Sequence, residues 1–173
     1  EHFVVFAGPG NNGGDGLALA RILSSERYNV EVYYVNFREK TSADWETNRQ
    51  RLEAETNVKL NYISDGEEFP DISSADIIID ALFGTGLTRI VGGLPAEMIK
   101  KLNLVNATVI SIDIPSGLFG EDNSENSYEY VIKADYTLSF QFPKLSFMFA
   151  ENAPFAGEWV VLPIGLDTNV IRD

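Results

Sequence analysis

Three loops in this 173-residue chain combine carboxylates, amides and hydroxyls with glycines, and each follows an apolar run. The first is Asn11-Asn12-Gly13-Gly14-Asp15-Gly16, after Phe3–Ala7; the second is Asp80-Ala81-Leu82-Phe83-Gly84-Thr85-Gly86, after Ile77-Ile78-Ile79. The third, Ile112-Asp113-Ile114-Pro115-Ser116-Gly117, sets an acid at the end of an apolar run and follows it with a rigid turn bearing a hydroxyl. Gly8, Gly10 and Gly13 match G-x-G-x-x-G, the spacing that lets backbone approach a dinucleotide and brings a helix N-terminus up to it. A plain pyrophosphate turn has no use for two amides and a carboxylate, so the site is expected to do more than hold phosphate. Asp15, at the start of the following helix, is placed as a cap.

Taken singly, Asp80 or Asp113 reads equally well as a turn former. If the three strands are parallel and central, their loops converge and gather Asn12, Asp15, Asp80, Asp113 and Ser116 around one crevice. The candidate ligands are amide, carboxylate, hydroxyl and backbone oxygens, which suit a hard cation and not zinc or copper. A serine nucleophile is disfavoured: the one histidine, His2, precedes the first strand and is expected at the surface, and there is no G-x-S-x-G elbow. The second strand ends in Asn36 with Arg38 beyond it, where a dinucleotide-binding fold usually carries a ribose-binding acid, so a standard dehydrogenase pose is not expected. Lys144 could meet a phosphate but in isolation reads as a solvated lysine. Phe140, Phe142, Phe147, Phe149 and Phe155 are expected to pack in the core, with a subunit contact as the second reading.

The elements that must position these loops alternate. Strand-like runs recur at Phe3–Ala7, Val30–Asn36, Val58–Ile63, Ile77–Leu82, Thr108–Asp113, Tyr136–Gln141 and Glu158–Leu162, with helical patterns at Gly14–Ser25, Ala43–Glu55 and Pro95–Val105. That order implies an α/β fold with a mostly parallel sheet covered on both faces. After Asp113 the alternation fails, and the last strands read as an edge added without helices. No repeat or linker divides residues 1–173, so one domain is expected.

Thirteen basic residues against twenty-six acidic ones give a net charge of −13, which disfavours nucleic acid and anionic membranes as partners. The composition, 45% hydrophobic with no cysteine, suits a globular domain in a reducing cytoplasm and rules out thiolate chemistry and disulfides. The chain starts without Met, within two residues of a strand, and reads as a trimmed segment.

In order and spacing, GPGNNGGDG, DALFGTG, DIPSG and ADYTLSFQFPK resemble the NAD(P)H-hydrate epimerase family, the YjeF N-terminal domain. The resemblance covers Val4 to Ile164. It implies a Rossmann-like three-layer α/β/α sandwich, usually homodimeric, that interconverts the R and S epimers of hydrated NADH and NADPH (NADHX and NADPHX). It implies substrate contacts from Asn11, Asn12, Gly13, Gly14, Asp15, Gly84, Thr85, Gly86, Leu87, Thr88 and Asp113, with Asp113 as the catalytic group. Asn12, Asp80 and Ser116 would then supply ligands to a potassium ion. The stretch from Arg89 to Gly93 departs from the pattern many relatives carry. Family members generally have helical sequence before the first strand, and many bacterial ones are fused to a C-terminal dehydratase domain. A non-catalytic dinucleotide-binding or dimerisation module, as in mRNA-decapping scaffolds, is the alternative reading, and a plain NAD(P)-dependent oxidoreductase is a third.

Overall fold

A computed structural model of the chain describes residues 1–64 and 69–166. Its centre is a seven-stranded sheet, all parallel, in the order β3-β2-β1-β4-β5-β6-β7. The strands are β1 His2–Ala7, β2 Asn29–Val35, β3 Leu60–Ile63, β4 Ile77–Ala81, β5 Thr108–Ile112, β6 Tyr136–Phe140 and β7 Glu158–Leu162. The helices are α1 Asn11–Ser25, α2 Ala43–Glu55, α3 Leu94–Leu102 and the single turn α4 Ala153–Ala156.

The central strands are apolar on both faces because both faces are covered. In β1, Val4 and Phe6 enter one buried cluster with Ile78, Met98, Ile99 and Leu102, so α3 lies on that side. Val5 and Ala7 enter the other with Leu17, Ala20, Trp45, Leu52 and Ile79, beneath α1 and α2. This is the expected three-layer α/β arrangement. The sheet is more uniform than expected: β6 and β7 are parallel too, reached by connections built from 3₁₀ turns and α4 in place of long helices. These connections enclose a third small cluster, Ile114, Leu118, Val131, Phe147 and Ala156.

Three local expectations change. Helix α1 begins at Asn11, three residues before the expected Gly14, with Gly10 as its N-cap and no side chain among the described residues capping it. Asp15 therefore sits inside the helix and is not its cap. His2 is no loose surface residue: it lies in β1, its Nδ1 3.0 Å from the carboxylate of the buried Asp76, at the sheet end opposite the three loops. Of the five phenylalanines, Phe147 is buried while Phe142 and Phe149 are exposed.

Candidate active site

The strand order reverses between β1 and β4, since β1 leads outward to β2 and β3 while the later strands extend the other way. Ligands in such sheets bind outside the carboxyl ends of the strands at that switch point. A cavity of about 310 Å³ opens there, lined by the N-cap Gly10 and by Asn11, Asn12 and Asp15 of α1, by Leu82 to Leu87 after β4, by Asp113 after β5, and by Phe37 and Arg38 after β2.

The glycines of the first loop divide by task. A Cβ on Gly13 would lie 1.8 Å from the carbonyl oxygen of Gly8, and one on Gly8 would lie 2.0 Å from that of Leu82. Gly14 and Gly16 let α1 approach α2 and the sheet, with added Cβ atoms 3.0 Å from the Trp45 nitrogen and 2.7 Å from the Ala81 Cβ. Gly10 faces open space. Gly13 thus draws the α1 N-terminus close to the end of β1 and Gly14 draws it close to α2, neither lining the cavity, and the helix presents backbone N–H groups that no side chain among the described residues caps.

Asn12 joins two loops. Its Nδ2 donates to the carbonyl of Ile112 at 2.8 Å, while its Oδ1 is buried and accepts no hydrogen bond among the described residues. Asp80, fully buried at the end of β4, accepts from the Ser111 hydroxyl at 2.7 Å and the Ser116 N–H at 2.8 Å. Burial pushes the Asp80 carboxyl upward, against the pull of those hydrogen bonds and of a longer one from Leu82. No cationic side chain among the described residues pairs with it. The Ser116 Oγ accepts from the Phe83 N–H at 2.9 Å, tying the second loop to the third. An orphaned amide oxygen, a buried carboxyl without a cation and a buried hydroxyl form a donor set of the kind a hard cation takes. Among the described residues no group of three or more His, Cys, Asp or Glu could hold a metal, so any such site would use neutral oxygens too.

Two carboxylates reach the cavity. Burial, then the charges of Asp113 and Asp44, push Asp15 up from 3.8 to about 6, even though its surface at the cleft mouth is open to solvent. Asp113 follows β5 with a left-handed backbone, φ 70°, and is largely buried. Its Oδ1 accepts from the Phe140 N–H at 3.1 Å and lies 2.7 Å from Lys144 Nζ. Lys144 is therefore not a solvated surface lysine, because its side chain is only 14% exposed and reaches the site from the turn after β6.

Two further cavities continue the cleft. One of about 330 Å³ shares Phe37, Arg38, Phe83 and Leu87 with the first and runs to Arg89, Ile90 and the start of α3. One of about 630 Å³ shares Thr85 and Leu87 and runs to Thr88, Glu121 and Lys144. Asn11, Asn12, Asp15, Gly84, Thr85, Gly86, Leu87 and Asp113 thus line one cavity, and Thr88 lines its neighbour. Phe37 and Phe83, whose rings lie 4.9 Å apart, carry no sequence signal beyond their places after strands.

Residues 1–146 match the sequence profile of the family described as YjeF-related protein N-terminus. The chain is 37% identical over 163 residues to the NAD(P)H-hydrate epimerase of Oenococcus oeni, spanning 94% of this chain and 74% of the relative. It is 34% identical over 172 residues to the bifunctional NAD(P)H-hydrate repair enzyme Nnr of Thermofilum pendens, spanning 98% of this chain but 32% of that protein. In three dimensions it is similar to the crystal structure of yeast ynu0, with a TM-score of 0.72 and 25% identity over 94% of this chain and 65% of that one. With the profile matched over most of its length and the loops gathered at one switch point, the chain belongs to the YjeF-related protein N-terminus family.

Proposed function

We propose that this chain is an isomerase that interconverts the R and S epimers of NADHX and NADPHX, repairing hydrated nicotinamide dinucleotides. The observation that carries the reading is one cleft, walled by the open N-terminus of α1, the Gly84–Leu87 turn and the carboxylate of Asp113. The uncapped N–H groups of α1 suit the anionic pyrophosphate, and Asp113 suits a reacting ring that gains positive charge. The adjoining cavities give room for the two halves of a dinucleotide.

Epimerisation at C6 can proceed by two balanced routes. In one, a proton joins the C6 hydroxyl, which leaves as water while the N1 electron pair forms a C6–N1 double bond; water then adds to the opposite face and loses a proton. In the other, the hydroxyl proton leaves, C6 becomes a carbonyl carbon, and the C6–N1 electron pair goes to N1 with a proton before the ring recloses. Asp113 is the group that moves the proton and steadies charge on the ring, a role typically worth 10²–10⁴-fold. Asn12, Asp80 and Ser116 would hold potassium, which when bound supplies charge that organises the loops and attracts phosphate oxygens. The orphaned Asn12 oxygen and the unpaired buried Asp80 support that assignment. Exposed Phe142, Phe149, Val160 and Ile164 support a homodimer.

The test is the conversion of isolated R-NADHX to its S epimer, followed by chromatography in potassium and then in lithium, against the spontaneous rate. Potassium-dependent acceleration is expected. A folded protein that gives no acceleration, yet melts higher with dinucleotide, would be a binding module instead; at a hundred times Kd the ligand should add about 2.7 kcal/mol.

A further inference from the structure

Lys144 is a titratable group of the cleft that the reading above leaves without a task, and it is the one in direct contact with Asp113. Its ammonium has three hydrogens and three acceptors: Asp113 Oδ1 at 2.7 Å, the Phe140 carbonyl at 3.2 Å and the Phe142 carbonyl at 3.3 Å. With all three used, it has no hydrogen left to donate to a substrate. Asp113 Oδ1 is equally committed, because it also accepts from the Phe140 N–H at 3.1 Å. The other oxygen, Oδ2, has no protein partner among the described residues and is the one left for the cavity that Asp113 lines.

The backbone is shaped for this contact. The residues that follow the neighbouring strands β5 and β6, Asp113 and Gln141, are both left-handed, with φ of 70° and 60°, and neither is glycine. The Asp113 N–H still donates to the Leu138 carbonyl at 2.8 Å, so the β5–β6 ladder holds while the side chain turns toward Phe140. The turn after β6 is braced in its own right: the Ser139 hydroxyl donates to the Phe142 carbonyl at 3.1 Å, and the Gln141 side chain accepts from the Ile164 N–H at 3.0 Å.

We propose that Lys144 is the positioning residue of the site: it clamps Asp113 Oδ1 so that Oδ2 alone meets the hydroxyl at the reacting carbon, in a fixed orientation. The proposal rests on the epimerase reading. A reacting group shifted by about 1 Å can lose 10²-fold in rate, so the clamp acts on kcat and leaves substrate affinity alone.

The experiment first measures the wild-type rate on R-NADHX. If that rate does not exceed the spontaneous one, the epimerase reading fails and the proposed role of Lys144, which rests on it, is overturned with it. With an active wild type, Lys144→Met should lower kcat by about 10²-fold with KM unchanged. Because the chain has no cysteine, Lys144→Cys can be alkylated selectively. Reaction with 2-bromoethylamine rebuilds an ammonium at the same reach, with sulfur in place of one methylene, and should restore most of kcat. Reaction with iodoacetamide adds a neutral amide and should not. Mass spectrometry confirms each adduct, and melting curves confirm that each protein is folded. Wild-type kcat in folded Lys144→Met, or equal rates from the two alkylated forms, would overturn the proposal. If the methionine variant does not fold, the comparison of the two adducts decides.

Discussion

The side-chain amide of Asn12 donates to the backbone carbonyl of Ile112 at 2.8 Å, which ties the start of α1 to the end of β5 across the switch point. That one bond uses the nitrogen of the amide and leaves its buried oxygen without a partner among the described residues. Asn12→Leu should lose about 1 kcal/mol of stability with the hydrogen bond. It should also erase any rise in melting temperature in potassium chloride over lithium chloride. A variant that still melts higher in potassium would remove Asn12 from the cation site.

Gly13 tests the close approach of helix to sheet. A methyl group there meets the Gly8 carbonyl oxygen at 1.8 Å and its carbon at 2.8 Å, both backbone atoms that no rotamer change can move. Gly13→Ala should cost about 3 kcal/mol or more in urea unfolding, the upper range for overpacking. Gly10→Ala, with open space around its Cβ, should cost far less.

Asp15 makes stability depend on pH. Its folded pKa of about 6 lies above the ordinary 3.8, so the folded state holds this proton more tightly than the unfolded chain. The resulting stabilisation is full below the unfolded value and is lost as pH rises through about 6. Above that range the charged carboxylate is a liability, set by burial and by the charges of Asp113 and Asp44. Asp15→Asn should therefore be more stable than wild type at about pH 7.5, by roughly 1 kcal/mol once solvent screening of an open carboxyl is allowed for. The gain should vanish near pH 4.5, as melting curves at the two pH values would show.

Arg38 stands two residues beyond the Asn36 that replaces the ribose-binding acid, and it lines two of the three cavities. An arginine in that place suits a 2′-phosphate. Arg38→Ala should raise KM for NADPHX by about tenfold, the loss of one charge-assisted contact, and leave KM for NADHX nearly unchanged. Equal effects on both substrates would place the 2′-phosphate elsewhere.

Much of this architecture is legible before any coordinates. Runs such as Val4-Val5-Phe6 and Ile77-Ile78-Ile79 are apolar at every position, which fits strands buried on both faces and hence parallel pairing. The start of α1 was hidden for a physical reason. Gly13 and Gly14 are poor helix formers; Gly13 stands in the helix because the Gly8 carbonyl leaves no room for a side chain, and Gly14 because Trp45 packs tightly against it. Likewise the end of α3 falls at Leu102 and not at Val105, where apolar spacing alone would carry it.

The types and order of the three loops, with their acids, amides and glycines, determined by themselves that chemistry would sit at strand ends and that its ligands would be oxygens. Local sequence carries such information because turn geometry and strand burial each restrict residue type over a few positions. Only the tertiary structure decided which atoms are free and which are spent. Asn12 Oδ1 is left over because Ile112 takes the other half of the amide, and Lys144 is mostly withdrawn from solvent because the turn after β6 folds it onto Asp113. Those outcomes depend on distances between residues 31 to 100 positions apart, which no local pattern encodes.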